Sequence, residues 1–219
     1  MRYCLFLAAL AIVPAQAQVP RSADGHPDLG GDGIWLPDAV ADMAAGIDVP
    51  FLPAAKLKFE ENRAVKKSET DRRCLPPGVP RITFMARPLE IVQTPNRILF
   101  IYEGGAHVWR QVWVDGRPHP KDPNPDWLGH SIGHWDGDTL VVDSVGFNDK
   151  TWLDDAGHPH SEQLHVIEKY TRTSPLTMKY EVVIDDPGAY AHSWRSGSYL
   201  SFRPSRNLAE DICLDRLSK

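Results

Sequence analysis

Five of the nine histidines in this chain fall between positions 130 and 165. Imidazole is the side chain that changes charge near neutral pH, so such clustering points to proton transfer or to metal ligation. The segment from Gly129 to Asp143, GHSIGHWDGDTLVVD, shows how two of these groups can meet. Asp136-Gly137 is a hairpin dipeptide, because both central residues of a type I′ turn need positive φ. A turn there sets Trp135 opposite Asp138, His134 opposite Thr139, Ile132 opposite Val141 and His130 opposite Asp143. Opposed residues share a sheet face, which sets an imidazole against a carboxylate among apolar neighbours. His130 is the expected general base, Asp143 its orienting carboxylate and His134 a further proton carrier. The plain alternative is a hydrogen-bonded pair that only holds the sheet.

A second cluster is HPHSEQLH, His158 to His165. An HxH pair followed by a carboxylate is similar to the start of cupin metal ligation, so His158, His160, Glu162 and His165 form an alternative site for a divalent transition metal. Pro159 makes His158 a loop residue, and His165 has the opposite strand parity to His160 and Glu162. The leading expectation is therefore a site without metal or other cofactor. In that reading Tyr102, Trp109, Arg110, Trp152, His160 and Glu162 line a substrate cavity. Trp109 and Trp113 share one strand face, where core packing is the plain reading, and Val108, Arg110 and Val112 share the other. An inward Arg110 needs a partner, Glu103, Glu162, Glu168 or a ligand anion, because an unpaired buried charge is costly. Arg110 or Tyr102 would be the donor to a developing oxyanion.

These side chains need a frame. Residues 1–17 carry a basic residue, Arg2, an apolar run from Leu5 to Val13 and the small-x-small motif Ala15-Gln16-Ala17, the pattern of a secretory signal peptide. Cys4 lies inside it, so no lipid anchor is expected. Removing the segment takes away Arg2 and no acid, moving the formal charge from −5 to −6. Nucleic acid is excluded as a partner by that balance, and the cluster Arg63, Lys66, Lys67, Arg72 and Arg73, broken by Glu69 and Asp71, reads as a solvated helix face. Cys74 and Cys213 remain, an even count that predicts one disulfide in an exported, periplasmic or secreted protein.

Residues 18–52 are rich in Gly, Pro and Asp and read as an irregular arm packed through Trp35. Residues 53–80 hold one amphipathic helix, from Pro53 to about Lys67, with Ala54, Leu57, Ala64 and Val65 near one face, followed by the Pro76–Pro80 connector. From residue 81 onward the chain alternates short apolar runs with turns. Strands are expected at 89–94, 97–103, 107–114, 130–135, 139–145, 161–171, 177–184 and 198–203. The expected fold of 81–219 is all-β, an antiparallel meander of about eight strands closed as a lipocalin-like barrel, with a two-sheet sandwich as the alternative.

The motifs CLPPGVPR at 74–81, QTP at 93–95, DGRPHP at 115–120, WLGHSIGHW with DGDTLVV at 127–142, GFN at 146–148, WLD at 152–154, and PHSE with LHV at 159–166 resemble a family of exported bacterial proteins of unknown function. The resemblance covers nearly the whole mature chain. It implies an exported β domain and carries no activity with it. No GxSxG elbow, Walker loop or dinucleotide fingerprint occurs, which argues against nucleotide cofactors and the commonest serine hydrolases. The chemistry then predicts an acid–base enzyme of lyase or isomerase type, acting on a small organic molecule in the barrel cavity, with hydrolysis open to the same residues. The alternatives are a non-catalytic small-molecule binding barrel and a cupin-like metalloenzyme.

Overall fold

The computed structural model describes residues 18–217, apart from 66 and 105–107. The expected signal peptide, Cys4, Lys66 and His107 lie outside the described residues. Nine strands close into one barrel in chain order: β1 (Gly33–Pro37), β2 (Leu89–Gln93), β3 (Arg97–Tyr102), β4 (Trp109–Trp113), β5 (His130–Asp136), β6 (Thr139–Val145), β7 (His165–Ser174), β8 (Thr177–Asp185) and β9 (Trp194–Pro204). Closure pairs every strand edge, so a sandwich with two free edges per sheet is not what forms.

Three features depart from the expected meander. The arm is not wholly irregular: Gly33–Pro37 is a barrel strand, with Trp35 buried and facing Phe202 of β9. This short segment supplies the ninth strand; its burial does not alternate, with Ile34 and Trp35 both buried, and a Gly- and Pro-rich background further obscures it in the sequence. Neighbours are antiparallel except β4 and β5, which run parallel with Val112 beside Ser131 and Trp113 beside Ile132. Parallel neighbours cannot be joined by a tight turn, so residues 114–129 form a long crossover. Finally, β7 begins at His165, and Ser161–Leu164 is loop and turn.

Helix α1 (Pro53–Val65) buries Ala55, Phe59 and Asn62, the i, i+4, i+7 positions of one face. Ala54, Leu57, Ala64 and Val65, expected together on one face, are all exposed instead, because Phe59 supplies the larger apolar group and Asn62 donates to the Gly157 carbonyl at 2.9 Å. The short α2 (Glu69–Arg73) has a reciprocal capping box between Ser68 and Asp71. Arg63, Lys67, Arg72 and Arg73 are exposed, as a solvated face requires. The next short helix, α3 (Arg81–Phe84), places Ile82, Thr83 and Phe84 in the core, where Phe84 meets Tyr180 edge-on. A disulfide joins Cys74 to Cys213 at the start of α4 (Cys213–Leu217).

The barrel interior is filled by side chains and holds a charged pair. Arg110 Nη2 lies 2.5 Å from Glu168 Oε2, and both side chains are almost wholly buried. Arg110 also donates to Ser131 Oγ at 3.0 Å and Ser144 Oγ at 2.6 Å, while Tyr170 and Tyr180 donate to Glu168 Oε1 at 2.8 and 2.9 Å. Of the partners expected for Arg110, Glu168 is the one that meets it.

Two stability outcomes follow. Glu168→Gln keeps the shape but strands the Arg110 charge, so urea unfolding should show a loss of about 3–5 kcal/mol, partly recovered by adding Arg110→Met. A single variant as stable as wild type would show that the pair is not buried as described. Replacing both cysteines by alanine should cost on the order of 4–5 kcal/mol, since the bridge closes a loop 139 residues long; a loss below about 1 kcal/mol would contradict this loop-closure account.

Candidate functional site

The β5–β6 hairpin pairs Asp136 with Thr139, so its loop is Gly137-Asp138 rather than Asp136-Gly137. Gly137 alone has positive φ, at 57°, which matches turns that require glycine first. The register moves by two residues: His130 faces Val145, Ile132 faces Asp143 and His134 faces Val141. His130 and Asp143 are therefore not directly opposed. A two-residue shift preserves face parity, however, so both still lie on one side of the sheet.

That side is the outer wall. Ser131, Leu140, Val142 and Ser144 point into the core, which puts His130, His134 and Asp143 outside and corrects the expectation of a site within the barrel cavity. The crossover 114–129 passes over this wall and brings His119 between the two groups. Asp143 Oδ1 is 3.0 Å from His119 Nε2 and 2.8 Å from His165 Nε2. His119 Nδ1 is 2.9 Å from His130 Nδ1.

The donors and acceptors in this chain follow from the carboxylate. An ionised Asp143 only accepts, so Nε2 of His119 and of His165 carries hydrogen. A neutral His119 then has its lone pair on Nδ1, which must accept from Nδ1–H of His130. The remaining lone pair of His130 is on Nε2, which makes no hydrogen bond among the described residues. A carboxylate thus orients one imidazole, which orients a second and leaves a basic nitrogen at the end. Burial, with smaller effects from His119 and Arg117, holds His130 below the usual histidine range. The hydrogen bond with Asp143 pushes His165 up, and the bonds from His165 and His119 hold Asp143 below the usual carboxylate range.

His130 borders an outer groove of about 470 Å³ shared with Trp109, Gln111, Trp113, Trp127 and Leu128. Trp109, 61% exposed on the outer face of β4, is a cavity wall and not core. The Arg117 guanidinium lies 3.5 Å from the centre of the Trp113 ring and is held by Asp115. Gln111 Oε1 accepts from Arg97 at 3.2 Å, and the amide protons of Gln111 make no hydrogen bond among the described residues.

The other expected site residues go elsewhere. Arg110 and Tyr102 are buried on the inner face, with the Tyr102 hydroxyl pushed up to about 12 by burial, so neither serves as the oxyanion donor beside His130. His134 is exposed and takes no part in the hydrogen-bonded chain. Trp152 and His160 border a separate cleft of about 570 Å³ beside α1, where buried His160 meets Thr151 Oγ1 at 2.7 Å and the Ser161 carbonyl at 3.0 Å. Glu162 is exposed in a turn, and His158 meets Asp154 at 2.8 Å. The alternative metal set of His158, His160, Glu162 and His165 therefore does not converge. His119 is the residue that sequence reasoning missed. Its one local mark is its place between Pro118 and Pro120, which restrict the backbone on both sides.

No protein-family model, curated protein or solved structure matches this chain. Histidine titration followed by NMR checks the electrostatics. His130 should titrate below about 6.5 and His165 above it. The raised His165 stabilises the fold below its unfolded pKa and loses this as pH rises through its folded value, whereas depressed Asp143 stabilises above its unfolded pKa and loses this in acid. Asp143→Asn should bring the His165 midpoint down; unchanged midpoints for both histidines would remove the proposed chain.

Proposed function

We propose that this is an exported acid–base enzyme that moves a proton on a small planar molecule held in the Trp109–Trp127 groove, in the manner of a lyase or isomerase. The observation that carries this reading is the chain Asp143, His119, His130, which ends at a groove-lining imidazole whose Nε2 has no hydrogen-bond partner among the described residues. Exposed indoles offer flat apolar faces at small entropic cost, and polar groups beside them set the ligand's orientation. The disulfide fits an oxidising compartment.

The groups have distinct roles in this reading. Nε2 of His130 takes a proton from carbon, and the ring becomes an imidazolium. His119 accepts a stronger hydrogen bond from the charged ring, and Asp143 offsets the positive charge through His119. His165 holds the carboxylate from its other side. The amide of Gln111, which lines the groove, is the donor for charge that develops on the substrate, and the Arg117 guanidinium stacked on Trp113 adds positive charge beside that wall. A groove that only binds would need the same tryptophans and not the relay, so the two readings separate by mutation.

A nitrobenzisoxazole is a suitable probe, because one base removes its ring C–H as the N–O bond opens to a nitrile and a phenolate. Wild type should accelerate this reaction over free imidazole, and His130→Ala should lower the rate by about a hundredfold. His119→Ala and Asp143→Asn should each lower it by roughly tenfold or more, and exposed His134→Ala by less than about twofold. The rate should rise with pH through a midpoint below the usual histidine value and then level off. If His130→Ala turns over the probe as fast as wild type while the tryptophans still bind it, the protein is a binder and not an acid–base catalyst at this groove.

A further inference from the structure

We propose that Asp42, Asp154 and His158 form a binding site for a divalent first-row transition metal, at a cavity distinct from the His130 groove and from the Trp152 cleft. This cavity, about 480 Å³, lies between the 42–49 loop and α1 and is bordered by Asp42, Ile47, Phe51, Phe59, Arg63 and His158. One donor atom from each of Asp42, Asp154 and His158 lies within 4.8 Å of the other two. His158 Nδ1 and Asp154 Oδ2 are hydrogen-bonded at 2.8 Å, so a separation of only a few tenths of an ångström brings them to the roughly 3.0–3.4 Å between adjacent ligands on one ion with bonds of roughly 2.1 Å.

The two inner ligands are held in place before any ion arrives. Asp154 is fully buried and accepts backbone N–H groups from Met43, Gly157 and His158. Those donors offset the cost of burying its charge. The His158 ring is stacked on Phe59, centroids 4.5 Å apart, and lies nearly parallel to Phe51 at 5.7 Å. Asp42 is exposed at the cavity edge and provides the third, adjustable donor.

Chemistry selects the class of ion. One imidazole nitrogen with two carboxylates suits manganese, iron or zinc, whereas calcium takes six to eight oxygens and magnesium keeps mostly water. Three protein ligands leave the remaining positions open to the cavity, as in metal sites that take an exchangeable ligand. In the metal-free ring Nδ1 carries the proton donated to Asp154. On loading, Nδ1 gives its lone pair to the ion and the proton moves through solvent to Nε2, so the ring stays neutral and protons balance. The sequence singles out His158 as a ligand with the wrong companions; the fold supplies Asp154 and Asp42 in their place.

The test uses mature protein stripped with a chelator and titrated with Mn²⁺ or Zn²⁺ alone. Loss of the free Mn²⁺ EPR signal and calorimetry with Zn²⁺ should both saturate at a single ion per chain. Asp42→Asn and His158→Gln should each weaken binding by about tenfold or more, while His130→Ala and His165→Ala leave it within about twofold. Because Asp42 is exposed, its variant decides the matter even if His158→Gln fails to fold. No saturable binding, unchanged affinity in Asp42→Asn, or loss of binding in His130→Ala would each overturn the proposal.

Discussion

The pair Arg110–Glu168, enclosed in the barrel, is the constraint on which the arrangement of the outer wall depends. Through its hydrogen bonds Arg110 reaches from β4 to Ser131 on β5, Ser144 on β6 and Glu168 on β7, and Glu168 in turn holds Tyr180 on β8. A buried charge left without its partner costs several kcal/mol, so the inward parity of these strands is tightly specified. Side chains alternate along a strand, and inward Arg110, Ser131, Ser144 and Glu168 therefore force Trp109, Gln111, His130, Asp143 and His165 outward. A slip of one residue in β4 or β7 would turn a buried charge outward, and one in β5 or β6 would remove a serine partner of Arg110 and turn His130 or Asp143 inward.

The second determinant is the direction of β5. Because β5 runs parallel to β4, the chain must travel back along the outside of the barrel before it can pair again. That return path carries Asp115, Arg117 and His119 over the wall. The crossover is anchored at its far end by Asp126, whose backbone bonds with Gly146 and Asn148. A hairpin at this point would have left His130 and Asp143 two positions apart with nothing between them. The same detour that breaks the meander completes the relay and encloses the groove.

Electrostatics divide the histidines by surroundings rather than by number. His165 sits against a carboxylate and is pushed toward its charged form, while His130 reaches that carboxylate only through His119 and stays neutral. His160 is buried and hydrogen-bonded to Thr151 and the Ser161 carbonyl, and burial holds it below the usual histidine range as well. His158 is fixed by an aspartate among aromatic rings, on a different part of the surface. Four imidazoles close together in sequence thus take unlike roles, because each contacts a different element.

The sequence by itself determined what is carried by local pattern: the alternation that makes strands, the helix beginning at Pro53, the two cysteines, the face shared by His130 and Asp143, and the opposite faces of Trp109 and Arg110 on their own strand; which of these faces turned to the core was decided by the fold. Parity survives an even register shift, which is why the face was legible although the partners were not. Tertiary structure decided everything that depends on distant residues. Gly33–Pro37 became a strand because β9 and β2 needed a neighbour to close the barrel, and Leu57 stayed outside because Phe59 and Asn62 had better partners. His119 joined the site because of a crossover whose direction no local period encodes. Periodicity is a property of a few consecutive residues, whereas strand direction, closure and the company a loop histidine keeps arise from contacts between segments far apart in the chain.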